Sequence, residues 1–386
     1  MTAQQQSEVA CFTGDADPYR GGDPYADYRT VDFPFTRYAD LADRGLGAAV
    51  IAAGDEFFAQ RENLLAPGRA EFAPEHFGHK GKVMDGWETR RRRGASAEHP
   101  WPTAEDHDWA LVRLGAPGVV RGIVVDTAHF RGNYPQAVSV EATSVSGSPS
   151  PEHLLSDDVK WTTLLPRTPV GGHAANGFAV SVEQRFTHLR VNQHPDGGIA
   201  RLRVYGEVVP DPSWLTVLGT FDVVALENGG QVEDASDLFY SPATNTIQPG
   251  RSRRMNDGWE TRRRRDRGND WIRYRLVDRS QIRAIEIDTA CLKGNAAGWA
   301  SVSVRDEGND GENTEGAGGA AWIEILPRTR LQPDTNHRFV LPEPAVGTHA
   351  RLDIYPDGGI SRLRLYGSLT QGGEAHLAAR HQELGG

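Results

Sequence analysis

The chain has 386 residues with 42 basic and 52 acidic side chains, a formal net charge of -10. That length exceeds one ordinary hydrophobic core and predicts two domains. The acidic balance excludes an overall field that attracts nucleic acid. The opening "MTAQQQSEVA" lacks the basic and apolar regions of a signal peptide, and no apolar run approaches the ~20 residues of a membrane span. The two cysteines, Cys11 and Cys291, make neither a disulfide framework nor a metal knuckle. A soluble protein of a reducing, cytoplasmic compartment is expected, with no membrane or nucleic-acid partner.

In chain order, residues 1–29 read as a polar arm. "DGWETRRRR" at 85–93 reads as an Asp-Gly turn followed by a strand, so that Arg90 and Arg92 share one face and Arg91 and Arg93 the other. Two readings stand: Glu88 and the arginines form ion pairs along a sheet, or one face points into a cavity. There a guanidinium would hold a carboxylate or phosphate bidentately. "HDWALVRLG" supplies His107 beside Asp108 and Trp109, and "VDTAHFRGN" supplies Asp126, His129, Arg131 and Asn133. Asp126 fits a turn cap or a general base. In "AVSVE" Val138 and Val140 alternate with polar residues. "HPDGGIARLRVYG" places His194 and Asp196 in a turn before the last strand, with Asp196 serving the turn.

The same segments then return in order. "DGWETRRRR" recurs at 257–265, carrying Glu260, Arg262 and Arg264; "DTACLKGN" answers "DTAHFRGN", and "YPDGGISRLRLYG" answers the last-strand motif. The offsets stay nearly constant: Asp85 to Asp257 is 172 residues, Asp126 to Asp288 is 162, and Asp196 to Asp357 is 161. Copy one is expected over 30–210, copy two over 213–370, with Pro210 and Pro212 stiffening the joint. The tail, 371–386, suits a short helix. Period-two alternation, short segments and Gly, Pro and Asp turns predict an all-β chain of two β-sandwiches, and about eight strands per copy fit a jelly roll. No zinc, calcium, P-loop, nucleophile-elbow or dinucleotide motif occurs, so no metal and no cofactor is expected. The residues alone predict a duplicated sandwich that binds a small anion.

"MDGWETRRRR", "HDWALVRLG", "VDTAHFRGNYP" and "PDGGIARLRVYG", in this order and duplicated, resemble the allantoicase family over about Asp32 to Gly367. The resemblance implies two galactose-binding-like jelly-roll domains, a homo-oligomer, and hydrolysis of allantoate to ureidoglycolate and urea in purine catabolism. Allantoate carries one carboxylate and two ureido arms on one carbon. Arg90 and Arg92, with Arg262 and Arg264, would grip the carboxylate. Arg131, Asn133, His107, His194 and Glu260 would face the ureido arms. Cleaving the bond from nitrogen to the central carbon needs proton transfer rather than a nucleophile, for which Glu88, Asp126 and His129 are the candidates. Copy two has Asn269, Cys291 and Tyr355 where copy one has His107, His129 and His194, so copy one is expected to supply the acid–base groups. Two other classes stay open: an enzyme releasing urea from ureidoglycolate, and a non-catalytic sandwich that binds a small anion.

Overall fold

The computed structural model describes residues 33–308 and 321–386. The expected arm, 1–29, and most of the polar loop at 307–319 lie outside these residues. The chain forms two compact units that divide between Glu207 and Val208.

Each unit is built on the same antiparallel order. In unit one it runs Ala39–Asp40, Arg201–Val208, Asp108–Asp126, Arg185–His194, Ala137–Thr143, Thr162–Pro169. In unit two it runs Phe221–Asp222, Arg362–Leu369, Asp270–Asp288, Asn336–Tyr355, Trp299–Arg305, Ile323–Arg330. The order matches strand for strand, so the repetition seen in sequence is a repetition of topology. These are two jelly-roll β-sandwiches.

One strand of nineteen residues organises each unit: Asp108–Asp126 and Asp270–Asp288. The first part of Asp108–Asp126 pairs with Arg185–His194 and Ala49–Ala53, and its last part pairs with Ala175–Ala179. Ile123, Val124 and Val125 are fully buried there, as a strand covered on both faces requires. Register then places the site. Asn192 lies opposite Trp109 and Ser139, and His194 opposite Ala137.

The arginine-rich segment departs from expectation. Only Trp87–Glu88 and Trp259–Glu260 are strand, each paired with the Gly-Ile of the "PDGGI" turn. The arginines that follow are not on a continuing strand and have no simple two-face alternation. The tail forms the helix Gln371–Glu383, capped by the Thr370 side chain accepting from the Gly373 amide. Among the described residues no helix is long and apolar enough to cross a membrane.

Candidate active site

The repeated nonapeptide is first a structural clasp. Trp87 is fully buried, and its indole N–H donates to the Asp55 carbonyl (2.7 Å). Arg90 holds the Asp55 carboxylate through both its backbone amide and its guanidinium (2.7 and 2.9 Å). The Arg92 amide donates to Asp196 (2.7 Å), and its guanidinium to Asp108 (2.6 Å). Unit two repeats each contact: Trp259 and Arg262 with Asp237, Arg264 with Asp357 and Asp270. Arg90, Arg92, Arg262 and Arg264, expected to grip substrate, therefore all carry ion pairs. Asp108 and Asp270 are nearly inaccessible, so their arginine partners neutralise a buried charge. Asp196 does more than shape its turn, because it ties that turn to the clasp.

The clasp presents Glu88 and Arg91. The Asn133 side-chain amide donates to Glu88 Oε1 at 2.8 Å, uniting two residues picked from the sequence. Burial raises the Glu88 pKa above the ordinary carboxylate value, while the Asn133 hydrogen bond and the Arg91 charge pull it down. Arg91 itself is exposed and among the described residues makes no hydrogen bond or ion pair, though its charge is felt by Glu88. In unit two Asn295 stands in the Asn133 position but donates nothing to Glu260 among the described residues. Among the described residues, a half-buried carboxylate of raised basicity, fixed by an amide and beside an unpaired guanidinium, occurs at Glu88 of unit one and not at Glu260 of unit two.

Asp126 is wholly buried, and Oδ1 accepts the Ala128 amide (2.8 Å). Asp288 does the same for Ala290 (2.8 Å). Both are turn caps, and Asp126 has no accessible surface from which to meet a substrate. His129 sits at φ 66, a left-handed conformation that Cys291 copies at φ 65. Its backbone amide donates to His173 Nδ1 (2.9 Å), where unit two uses Asp334 (2.8 Å). The His129 ring stacks on Phe72 at 5.3 Å. Its pKa is lowered, mainly by burial and further by the Arg131 charge, against a hydrogen bond with the Ala70 backbone. It is a neutral, well-anchored imidazole. Arg131 contributes charge here.

His107 and His194 form a separate pair, with ring centroids 5.4 Å apart. His194 Nε2 meets Ser139 Oγ at 3.0 Å, and Asn192 donates to both Ser139 and Glu141. Burial, with the nearby Arg167 and His107, pushes the His194 pKa down to about 4. Sequence reasoning missed His173, Ser139 and Asn192. His173 had a signal: it aligns with Asp334 at the same offset of 161 as Asp196 with Asp357. Among the described residues no three His, Cys, Asp or Glu side chains converge as a metal site requires.

The allantoicase repeat model matches residues 39–209 and again 221–370, spanning most of both units. The chain belongs to the allantoicase family. It is 82% identical to a probable allantoicase of Streptomyces coelicolor over all 386 residues, covering both chains fully. It is 50% identical over 338 residues to a probable allantoicase of Nocardia farcinica, covering 87% of this chain and 95% of that one. The crystal structure of allantoicase from Saccharomyces cerevisiae is similar at 30% identity and a TM-score of 0.71, covering 85% of this chain and 92% of that chain. In this allantoicase-family chain the clasp and the turn caps are common to both repeats, whereas among the described residues the Glu88–Asn133 bond and the histidines at 107, 129 and 194 belong to the first.

Proposed function

We propose that this chain is a hydrolase converting allantoate and water to ureidoglycolate and urea, and that the Glu88 cluster of repeat one carries the chemistry. The reaction follows from membership of the family. The assignment to repeat one rests on one observation: the half-buried Glu88 carboxylate, its pKa raised by burial, is held by Asn133 beside the unpaired Arg91.

Allantoate's two ureido nitrogens share one carbon, so both lie within reach of the two oxygens of one carboxylate. Ionised Glu88 takes the N–H proton of the arm that stays. That nitrogen's electrons form a C=N bond as the C–N bond to the other arm breaks. The departing nitrogen takes the proton back from Glu88, and neutral urea leaves. Water then adds to the imine carbon, giving its proton to Glu88, which passes it to the imine nitrogen. Atoms and charge balance, and the carboxylate is restored. A raised pKa makes the ionised Glu88 carboxylate a stronger base.

Arg91 replaces Arg90 and Arg92 as the grip on the substrate carboxylate, because their guanidiniums are committed to Asp55 and Asp108. His129 is a positioning residue: neutral, packed on Phe72, it fixes the wall behind the turn. Asp126 shapes that turn through Ala128. Incubating purified protein with allantoate and analysing the products tests the reading. Urea with ureidoglycolate is expected. Ammonia as the nitrogen product, or urea released from ureidoglycolate alone, contradicts it.

A further inference from the structure

Repeat one is longer than repeat two at two places, and both adjoin the nonapeptide. The Gly68 and Gly250 carbonyls accept from Nε of Arg201 and Arg362 (2.9 and 3.0 Å). The Asp85 and Asp257 carbonyls accept from Nη1 of the same two arginines (3.2 and 2.7 Å). Gly68 is therefore equivalent to Gly250, and Asp85 to Asp257. Sixteen residues, 69–84, lie between them in repeat one, against six, 251–256, in repeat two. Past the nonapeptide, fourteen residues, 94–107, precede Asp108, against four, 266–269, before Asp270. Ten extra residues thus stand at each end of the segment that carries Glu88, and Glu260 has neither insertion.

The first insertion folds as a hairpin with firm anchors. The Glu71 amide donates to Asp85 Oδ2 (2.8 Å) and closes its base. Phe77 pairs with Lys82 and Gly78 with Gly81, so His79 and Lys80 form the tip; Gly81, at φ 118, has a conformation open to glycine. Lys82 Nζ lies over the Phe77 ring (3.8 Å) and the Phe72 ring (5.5 Å), and Phe72 is the ring that stacks on His129. The hairpin is thereby fixed to the turn that leads, four residues on, to Asn133.

Its tip reaches the other side of Glu88. Glu88 pairs with Gly198, whose amide donates to the Asn133 carbonyl, and on its opposite edge with Ala59. Phe57 lies two residues before Ala59 and Arg90 two residues after Glu88, and the two meet with the guanidinium carbon 5.6 Å from the ring centre. Lys80 Nζ rests on the same ring at 4.9 Å. The hairpin therefore runs from the Asn133 loop to the segment beside Glu88 and brings an ammonium to the edge of the cluster. Arg90 is committed to Asp55. Lys80, among the described residues, makes no hydrogen bond or ion pair. A cation on one exposed aromatic ring is held weakly, and the flexible lysine stem lets it move away.

We propose that Lys80 is a substrate-binding residue, which leaves the face of Phe57 to hold, together with Arg91, the carboxylate of the ureido acid while Glu88 works on its nitrogens. This deepens the proposed function and rests on it for the class of substrate. A charge-assisted hydrogen bond is stronger than the exposed ring contact it replaces, so the exchange is favourable. Two cations on one carboxylate also make the site select ureido acids over neutral ureides.

The probes are N-carbamoylglycine, which has one ureido arm and one carboxylate, and N-carbamoylglycinamide, which keeps the shape and loses the charge. Binding of each to the full chain is measured by calorimetry, with thermal unfolding as the check on folding. Lys80→Ala is expected to weaken the acid roughly tenfold and to leave the amide unchanged. Lys80→Arg, which keeps the charge, should retain most of the affinity for the acid. In turnover, Lys80→Ala should raise KM for allantoate by a similar factor with kcat little changed. An acid that fails to bind the unaltered protein, or that binds Lys80→Ala equally well, overturns the assignment. Equal losses for acid and amide overturn it too, because they give the hairpin tip a structural role alone. If the unaltered protein releases no urea yet binds the acid in a Lys80-dependent way, the proposed function fails and this site stands, since binding is read without turnover.

Discussion

Removing the Asn133 side chain should move the pH profile of the enzyme in a direction that the structure fixes. The amide donates to Glu88 Oε1 at 2.8 Å and stabilises the charged carboxylate against burial. A hydrogen bond to a charged group contributes about 1.5–3 kcal/mol. Asn133→Ala should therefore raise the Glu88 pKa further, and at a given pH on the acidic limb kcat/KM should fall roughly 10- to 100-fold. Glu88 acts as a base and must be ionised, so activity is present above its pKa and is lost as pH falls through it. The acidic limb of kcat/KM should therefore shift to higher pH, with the plateau reached at alkaline pH much less affected. The Asn133 carbonyl, which accepts the Gly198 amide (2.7 Å), survives the substitution, so the turn should hold. The assay is urea release from allantoate across a pH series, with thermal unfolding as the check on folding. A limb that stays in place, or moves to lower pH, would refute the role given to this bond.

Arg91→Ala should raise KM for allantoate about 10- to 100-fold with little loss of thermal stability, the cost of one charge-assisted carboxylate contact; an unchanged KM would return the grip to another residue. Arg92→Ala should instead destabilise, because Asp108 is left as a buried charge, a loss of about 3–5 kcal/mol, seen as a lower denaturation midpoint; full stability would show that the clasp does not depend on this pair. His129→Ala should cut kcat by less than the ~10²–10⁴-fold typical of losing an acid–base group, and Cys291→Ala should leave turnover unchanged; a His129 variant at the full loss would make the imidazole the proton carrier.

Much of the fold could be read from the chain because duplication exposes it. Segments repeated at nearly constant offset had to be equivalent elements, and the alternation of Val138 and Val140 set theirs as a strand. The "PDGG" turns carried their own chemistry. The arginine run misled, for a physical reason. Period-two reasoning assumes that a strand continues, and here it stops at Glu88 when the paired "GI" segment runs out. The acids that capture Arg90 and Arg92 lie 35 and 16 residues away, and nothing local announces such pairings. The link from Asp196 to the Arg92 amide spans 104 residues and left no local trace, whereas the turn-cap reading of Asp126 was legible because it accepts the amide only two residues on. His173 was not, since its task is to accept the backbone amide of a residue 44 positions earlier.

The central claim is that Glu88 moves the proton that releases urea. Glu88→Gln tests it most directly, because the amide keeps the size of the side chain and an oxygen for Asn133 while losing the basic carboxylate. Steady-state urea release from allantoate should fall by about 10²–10⁴-fold at neutral pH, with KM little changed and the acidic limb of the pH profile gone. A folded Glu88→Gln enzyme that keeps wild-type turnover and its acidic limb would contradict the account.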